Sequence, residues 1–209
     1  FEDRDGSGSI GTGAGTVDDP GDMMIIGNTT PRYSYSFRIE ASWNGFDISA
    51  FFQGVGKRDW YPTANKDDIY GANQFWQLYG YTIPSFITYD FMDDVWSEQN
   101  LGGYFPRLRP IQSYNGGPLG QNNDRYLQSV AYLRFKNLTI GYTLPVLKKY
   151  LSKLRIYVSG ENLCYWSPLK KHCKLIDPEL AISSGTYKGG TGTGYTMPRT
   201  FSFGVDITF

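Results

Sequence analysis

The first residues whose types and spacing could do chemistry are Asp3, Asp5 and Ser7, within Asp3-Arg4-Asp5-Gly6-Ser7-Gly8-Ser9-Ile10. Oxygen donors at loop positions 1, 3 and 5, a glycine at 6 and an aliphatic residue at 8 form the pattern of a calcium loop. Such spacing lets alternate side chains and one backbone carbonyl converge on a single hard ion. Position 12 is Ala14, where a bidentate glutamate would stand, and Asp18 or Asp19 is expected to substitute from farther along. A flexible Gly/Ser loop with scattered acids has the same composition. A second set is aromatic: Trp60, Trp76 and Trp96 stand among many Tyr and Phe, with Asp and Asn close by in sequence. Aromatic faces beside carboxylates and amides stack on a sugar ring or grip a peptide backbone, so these three are the substrate-contact candidates. Loop packing and protein interfaces use the same residue types.

Other reactive groups assemble into less. His172 is the single histidine and lies in a Lys-rich segment without a nucleophile motif. Asp93-Asp94 reads as the start of a short loop helix rather than as an acid/base pair. No catalytic residue is expected, and the chain is not read as an enzyme. Cys164 and Cys173 are too few for a disulfide framework. They read as free thiols, as one disulfide or, with His172, as part of a metal site. No motif requires a cofactor; calcium is the one ion expected.

The elements that must position these groups alternate with period two. Tyr33, Tyr35, Phe37, Ile39, Ala41 and Trp43 share one face, against Ser34, Ser36, Arg38, Glu40 and Ser42 on the other. Asn44-Gly45 follows, a strong hairpin signal, and Phe46, Ile48, Ala50 and Phe52 resume the alternation. From Val130 to Leu144 the phase slips: Leu133 and Phe135 are apolar at odd positions, Leu138, Ile140, Tyr142 and Leu144 at even ones. A bulge at Lys136-Asn137 accounts for the slip. Pro145 closes that strand, residues 146–151 are compatible with one amphipathic turn, and a further strand runs from Leu154 toward Trp166. The last, Arg199 to Phe209, sets Phe201, Phe203, Val205, Ile207 and Phe209 against Ser202, Gly204, Asp206 and Thr208.

Composition agrees with such strands. Aromatic residues make up 17% of 209 residues, with 17 Tyr, 13 Phe and 25 Gly, an all-β signature in which aromatic girdles flank a lipid-facing band. Twenty basic and 20 acidic residues predict no long-range attraction to nucleic acid or to anionic lipid headgroups. No apolar run approaches the roughly 20 residues of a membrane helix. A mean hydropathy of −0.40 does not argue against a barrel, whose strands show lipid only every second residue. The polar start Phe1-Glu2-Asp3-Arg4-Asp5 is not a signal peptide, so an exported chain is expected to be a piece of a longer precursor. Arg38, Glu40, Asp47, Arg134, Lys136, Arg155 and Glu161 are expected on the wet inner face, as lumen lining or as cross-strand pairs.

Several words of the sequence are familiar in order. Ile25-Ile26-Gly27-Asn28, the Gly45 to Gly54 run, Phe105-Pro106-Arg107-Leu108, Tyr132 to Pro145, Leu154 to Leu163 and Pro198 to Gly204 resemble the C-terminal barrel portion of the SusC/RagA family of TonB-linked outer-membrane transporters. The resemblance implies an all-β fold, with antiparallel strands forming the C-terminal part of a large plugged barrel of about 22 strands. It implies nutrient import, of oligosaccharides or peptides, together with a SusD-like surface lipoprotein and driven by the TonB complex, in the outer membrane of a Gram-negative, Bacteroidetes-like bacterium. Residues 1–209 would then divide into a loop (1–30), a hairpin (31–55), a long extracellular loop (56–129), a strand pair (130–166), a second extracellular loop (167–198) and a terminal strand (199–209). Phe209 matches the terminal aromatic assembly signal of such barrels. Neither a plug domain nor a TonB box is present, so transport would belong to a larger assembly that supplies the remaining plug and barrel. The same alternation would serve a structural or adhesive barrel anchor, or a soluble all-β glycan-binding module.

Overall fold

A computed structural model describes residues 1–62, 88–108, 122–145, 151–181 and 197–209. Seven strands are present among them: β1 (Tyr33–Trp43), β2 (Phe46–Lys57), β3 (Asp59–Trp60), β4 (Gln128–Ser129), β5 (Tyr132–Leu144), β6 (Lys153–Trp166) and β7 (Thr200–Thr208). Five of them form one antiparallel sheet in the order β1-β2-β5-β6-β7, and β3 pairs with β4 in a small separate ladder. The chain is all-β, as its alternation requires. The sheet is open, with β1 and β7 at its edges.

Its registers run the two faces straight across the sheet. Phe37, Phe52, Phe135 and Cys164 form one row. In that row the ring centroids of Phe37 and Phe52 lie 4.9 Å apart, and those of Phe52 and Phe135 4.5 Å apart, both pairs stacked. Toward one end, Trp43, Phe46, Tyr142, Ile156 and Val205 make another row; toward the other, Tyr35, Gly54, Leu133 and Trp166. The result is one continuous apolar face with aromatic side chains at both ends. From Tyr35 to Trp43 the strand rises roughly 26 Å at ~3.3 Å per residue, about the height of a barrel's apolar band before tilt.

The slip of phase in β5 is the expected bulge. Phe51 pairs with Asn137 and Phe52 with Phe135, so Lys136 has no counterpart on β2. On the other side Asn137 pairs with Glu161 and Phe135 with Cys164, which leaves Asn162 and Leu163 opposite the same residue. Asn162 takes φ +51°, a left-handed conformation that asparagine tolerates. The extra residues keep Phe135 and Leu138 on one face although three positions separate them.

The connections are unequal, and the registers place them. Asn44 (φ +47°) and Gly45 (φ +85°) close the β1–β2 hairpin in the doubly left-handed turn that suits strand twist. The segment between Leu144 and Lys153 returns at the same end, where Ser152 N–H donates to the Thr208 carbonyl at 2.8 Å. The amphipathic turn expected at 146–151 falls mostly outside the described residues. At the opposite end leave the long segments: 1–32, 58–131 and 167–199.

Lysine placed on the apolar face should cost far more than lysine on the other. In the intact membrane-inserted protein, Phe37→Lys is expected to destabilise the barrel by roughly 2–4 kcal/mol, and Ser36→Lys by much less, in urea titrations.

Candidate functional site

The polar face of the sheet carries its charges in fixed groupings. Arg155 on β6 donates from Nε and Nη2 to Asp47 on β2, at 2.9 and 2.6 Å, and from Nη1 to Asp206 on β7 at 3.0 Å. The guanidinium crosses β5 to do so. Gly141 lies beneath it, and a Cβ there would stand 2.6 Å from Asp47 Oδ1, so only glycine leaves the space. Arg38 and Glu40, both exposed, pair at 3.5 Å, and Ser49 Oγ donates to Glu40 at 3.3 Å. Glu161 is exposed at the loop end of β6.

Nearer the long segments, charge becomes buried. Arg134 on β5 is 2% exposed and pairs through Nη2 with Asp177, itself 5% exposed. Its Nε lies 2.8 Å from Glu179 Oε1, and Lys136 Nζ donates to Glu179 Oε2 at 2.9 Å. The Arg134 guanidinium also sits 4.8 Å from the centre of the Tyr165 ring. Glu179 N–H donates to Asp177 Oδ1 at 3.0 Å, so the acidic pair is shaped by its own backbone. These contacts fasten the segment after β6 to β5. Isolated buried charge is costly, and two carboxylates beside two cations offset each other's charge here.

Above this network the long segments build a core of their own. Trp60, Phe91, Val95, Phe105, Tyr126, Val130, Leu169, Cys173, Ile176 and Ala181 are buried together, with Tyr61 and Tyr104 packed against them. The ladder β3–β4 brings 58–60 to 128–130, and Val130 N–H donates to the Arg58 carbonyl at 2.9 Å. Tyr104 links the rest: its hydroxyl donates to the Arg125 carbonyl at 2.7 Å and accepts from Gln128 at 2.8 Å. Its ring stacks on His172 with centroids 3.6 Å apart. Burial lowers the His172 pKa below its ordinary value, partly opposed by Asp94 at 3.7 Å. Lys174 pairs with Asp90 on the facing segment. A short helical turn is present, but it runs Phe91–Asp94, so Asp93 and Asp94 end it rather than begin it as expected from the sequence.

The aromatic candidates divide accordingly. Trp60 is fully buried in this core, so it supports the loops and offers no surface to a ligand, which corrects its expected role. Trp96 is half-buried and pairs through its backbone with Phe105; Trp76 lies outside the described residues. The cysteines are free: Cys164 is half-buried on the apolar face, and burial pushes the Cys173 thiol up to about 11. The sequence does not flag Asp177 and Glu179, since nothing local marks a carboxylate that meets a cation 43 residues earlier.

The acidic loop closes on a residue the spacing misses. Among the described residues, Asp3, Asp5 and Asp22 have carboxylate oxygens within 4.8 Å of one another. Asp3 accepts from the N–H groups of Gly6 at 2.8 Å, Ser7 at 3.2 Å and Gly8 at 2.8 Å. Asp22 accepts from Arg4 at 2.6 Å and Gly11 at 2.7 Å. Asp19, expected to complete the ligand set, instead accepts from Ala14 at 2.9 Å in a neighbouring turn. Ser7 Oγ donates to the Ser9 carbonyl at 3.0 Å. Hydrogen bonds from Ser7 lower the Asp5 pKa, and backbone N–H groups of Gly11 and Arg4 lower that of Asp22. Three hard carboxylate oxygen donors fit a divalent cation such as calcium. Phe209, exposed just past β7, has its carbonyl held by Ser152 Oγ at 3.1 Å.

No family model matches the chain. Over 219 residues covering its whole length it is 29% identical to TonB-dependent receptor P3 of Formosa agariphila, and it spans 19% of that protein. Its fold matches a chain of the RagAB peptide importer in the closed-closed state with a TM-score of 0.52 and 22% identity, over 88% of this chain and 18% of that one. The chain is similar along its whole length to a portion of a TonB-dependent receptor, and it shares its fold with a portion of the RagAB chain. The open-open state of the same importer aligns with a TM-score of 0.47 and 20% identity, over 87% of this chain and 17% of that one. The buried core lies at the long-segment end of the five-stranded sheet.

Two outcomes are expected. Arg134→Met leaves Asp177 buried without its cation and should cost roughly 3–5 kcal/mol, read as new protease cleavage within 167–181 of the intact protein. The acidic loop should keep its amide protection at Ser7, which donates to Asp5, and at Gly11, which donates to Asp22, below pH 3.8, the ordinary aspartate value. Because the folded-state carboxylates titrate lower than unfolded ones, their contribution is present above that value and is lost as pH falls through the depressed pKa. Hydrogen exchange against pH measures it.

Proposed function

We propose that this chain forms part of the wall and outer mouth of a TonB-dependent transporter that imports oligosaccharides or peptides across the outer membrane of a Gram-negative, Bacteroidetes-like bacterium. The observation that carries this reading is the sheet's continuous apolar face, aromatic at both ends, in a chain similar along its whole length to a TonB-dependent receptor. Hydrocarbon accepts that face, while the charged face suits a watery interior. The edges of β1 and β7 take their hydrogen-bond partners from further strands of the same barrel. A plug and a TonB box belong to that remainder, which couples import to the inner-membrane TonB complex.

Long segments gather at one end and short turns at the other, the asymmetry of outer-membrane barrels, whose long loops are extracellular. The packed core of those segments supports a mouth to which a SusD-like lipoprotein binds. The RagAB peptide importer supports peptides as cargo; oligosaccharides rest on the sequence resemblance. Mass spectrometry of everything that copurifies with this chain from detergent-solubilised outer membrane tests the reading. An upstream plug-and-barrel portion and a surface lipoprotein are expected; recovery of the chain from the soluble fraction, without either, would contradict it.

Calcium is proposed at Asp3, Asp5 and Asp22, with Ser7 as a backbone brace. Calorimetric titration of the intact assembly should show calcium heat that Asp22→Asn abolishes and Asp19→Asn leaves in place. No heat with the native assembly removes the site.

A further inference from the structure

The two long segments that share the buried core also meet through one titratable ring. His172 caps the 3₁₀ turn Pro168–Lys171, and its imidazole lies flat on the Tyr104 ring, with 3.6 Å between centroids and 11° between planes. Tyr104 in turn holds the Arg125 carbonyl and Gln128. This one stack therefore ties the segment after β6 to two stretches of the segment before β5. Lys174 pairs with Asp90 beside it, and Leu169 and Cys173, buried on either side of His172 in sequence, fix the turn in the core.

The ring has little provision for a positive charge. Its side chain is 17% exposed, and Nδ1 is buried without a hydrogen-bond partner. Asp94 Oδ2 stands 3.7 Å from Nδ1, outside hydrogen-bond reach. His172 borders a cleft of about 30 Å³, lined also by Asp90, Asp94, Lys171 and Lys174, with room for about one water molecule. Asp90 is taken by Lys174, Lys171 and Arg125 add positive charge nearby, and Asp94 is the carboxylate that opposes them. A neutral imidazole can leave Nδ1 as a bare lone pair, whereas imidazolium would bury an N–H and a charge with no acceptor in place. Burial above all, then the neighbouring cations, accordingly holds the His172 pKa below its ordinary 6.5.

We propose that His172 is an acid-released latch between the two long segments, closed while the ring is neutral and loosened when it takes up a proton. When the segments separate, the ring meets water and titrates at its ordinary value. Above 6.5 both arrangements are neutral there and pH has no effect on the joint. As pH falls from that value through the lowered pKa, the open arrangement binds protons first and the closed one loses its advantage. His172 is the chain's single histidine, so no other side chain in it has an ordinary value in this range. The latch lies wholly within this chain and does not depend on the transporter reading.

Hydrogen exchange read by mass spectrometry on the intact protein in detergent, at about pH 7.5 and about pH 5, tests this on either side of the histidine range. Protection factors divide out the intrinsic pH dependence of exchange. Peptides from 88–106 and 167–176 should lose protection at the lower pH, while those of β5 and β6 keep theirs. His172→Phe, which keeps an aromatic face without a titrating nitrogen, and His172→Gln should each show no loss on acidification, whatever their protection at the higher pH. Asp94→Asn removes the opposing carboxylate and should deepen the loss. Unchanged protection in the native protein overturns the proposal, as does an equal loss in both His172 variants. A loss that Asp94→Asn abolishes overturns it too, since Asp94 would then be the titrating group.

Discussion

In hydrocarbon a backbone N–H or C=O has no water to turn to, so each strand must find its partners in the strands beside it. Everything else in this chain follows from meeting that demand. Antiparallel pairing from β1 to β7 satisfies the interior strands on both sides and fixes the registers. The registers in turn align apolar side chains into rows across the sheet and leave charge to the other face. A one-residue error in any pairing would exchange the faces of a whole strand. The bulge at Lys136 shows how closely the wall is held, since it shifts phase without moving an apolar residue off its face.

The polar face solves a different problem. A wet interior tolerates charge, yet its charges are arranged across strands rather than left to solvent. Arg155 ties β2 to β7 over the bare backbone of Gly141, linking strands that are far apart in sequence. Farther up, Arg134 and Lys136 hold Asp177 and Glu179, which bring the segment after β6 down onto the wall. From that anchor the loop core is assembled around Trp60, Phe105 and Leu169. The described parts of the long segments are thus packed and ion-paired to the strands that carry them.

How much of this was legible depended on range. The strands were, because period-two alternation is a local property, and so was the bulge, because Phe135 and Leu138 betray it within four residues. Asn44-Gly45 announced its turn for the same reason. Asp22 was not legible: it joins Asp3 and Asp5 only because the intervening backbone folds back, while the nearer Asp19 is consumed by its own turn. Trp60 reads like a ligand platform in sequence, and only the packing of residues up to 121 positions away turns it into core. The Arg134–Asp177 pair lies beyond local patterning for the same reason.

The account stands on the claim that the face shared by Tyr35, Phe37, Ile39 and Ala41 meets lipid, whereas Ser36, Arg38 and Glu40 meet water. Single spin labels at each position from 35 to 41, in the intact protein reconstituted in bilayers, measure this directly through collisions with oxygen and with a water-soluble nickel chelate. Oxygen accessibility should peak at the odd positions and chelate accessibility at the even ones, alternating without a break. A profile lacking that period, or one in which both faces favour the chelate, would contradict the account.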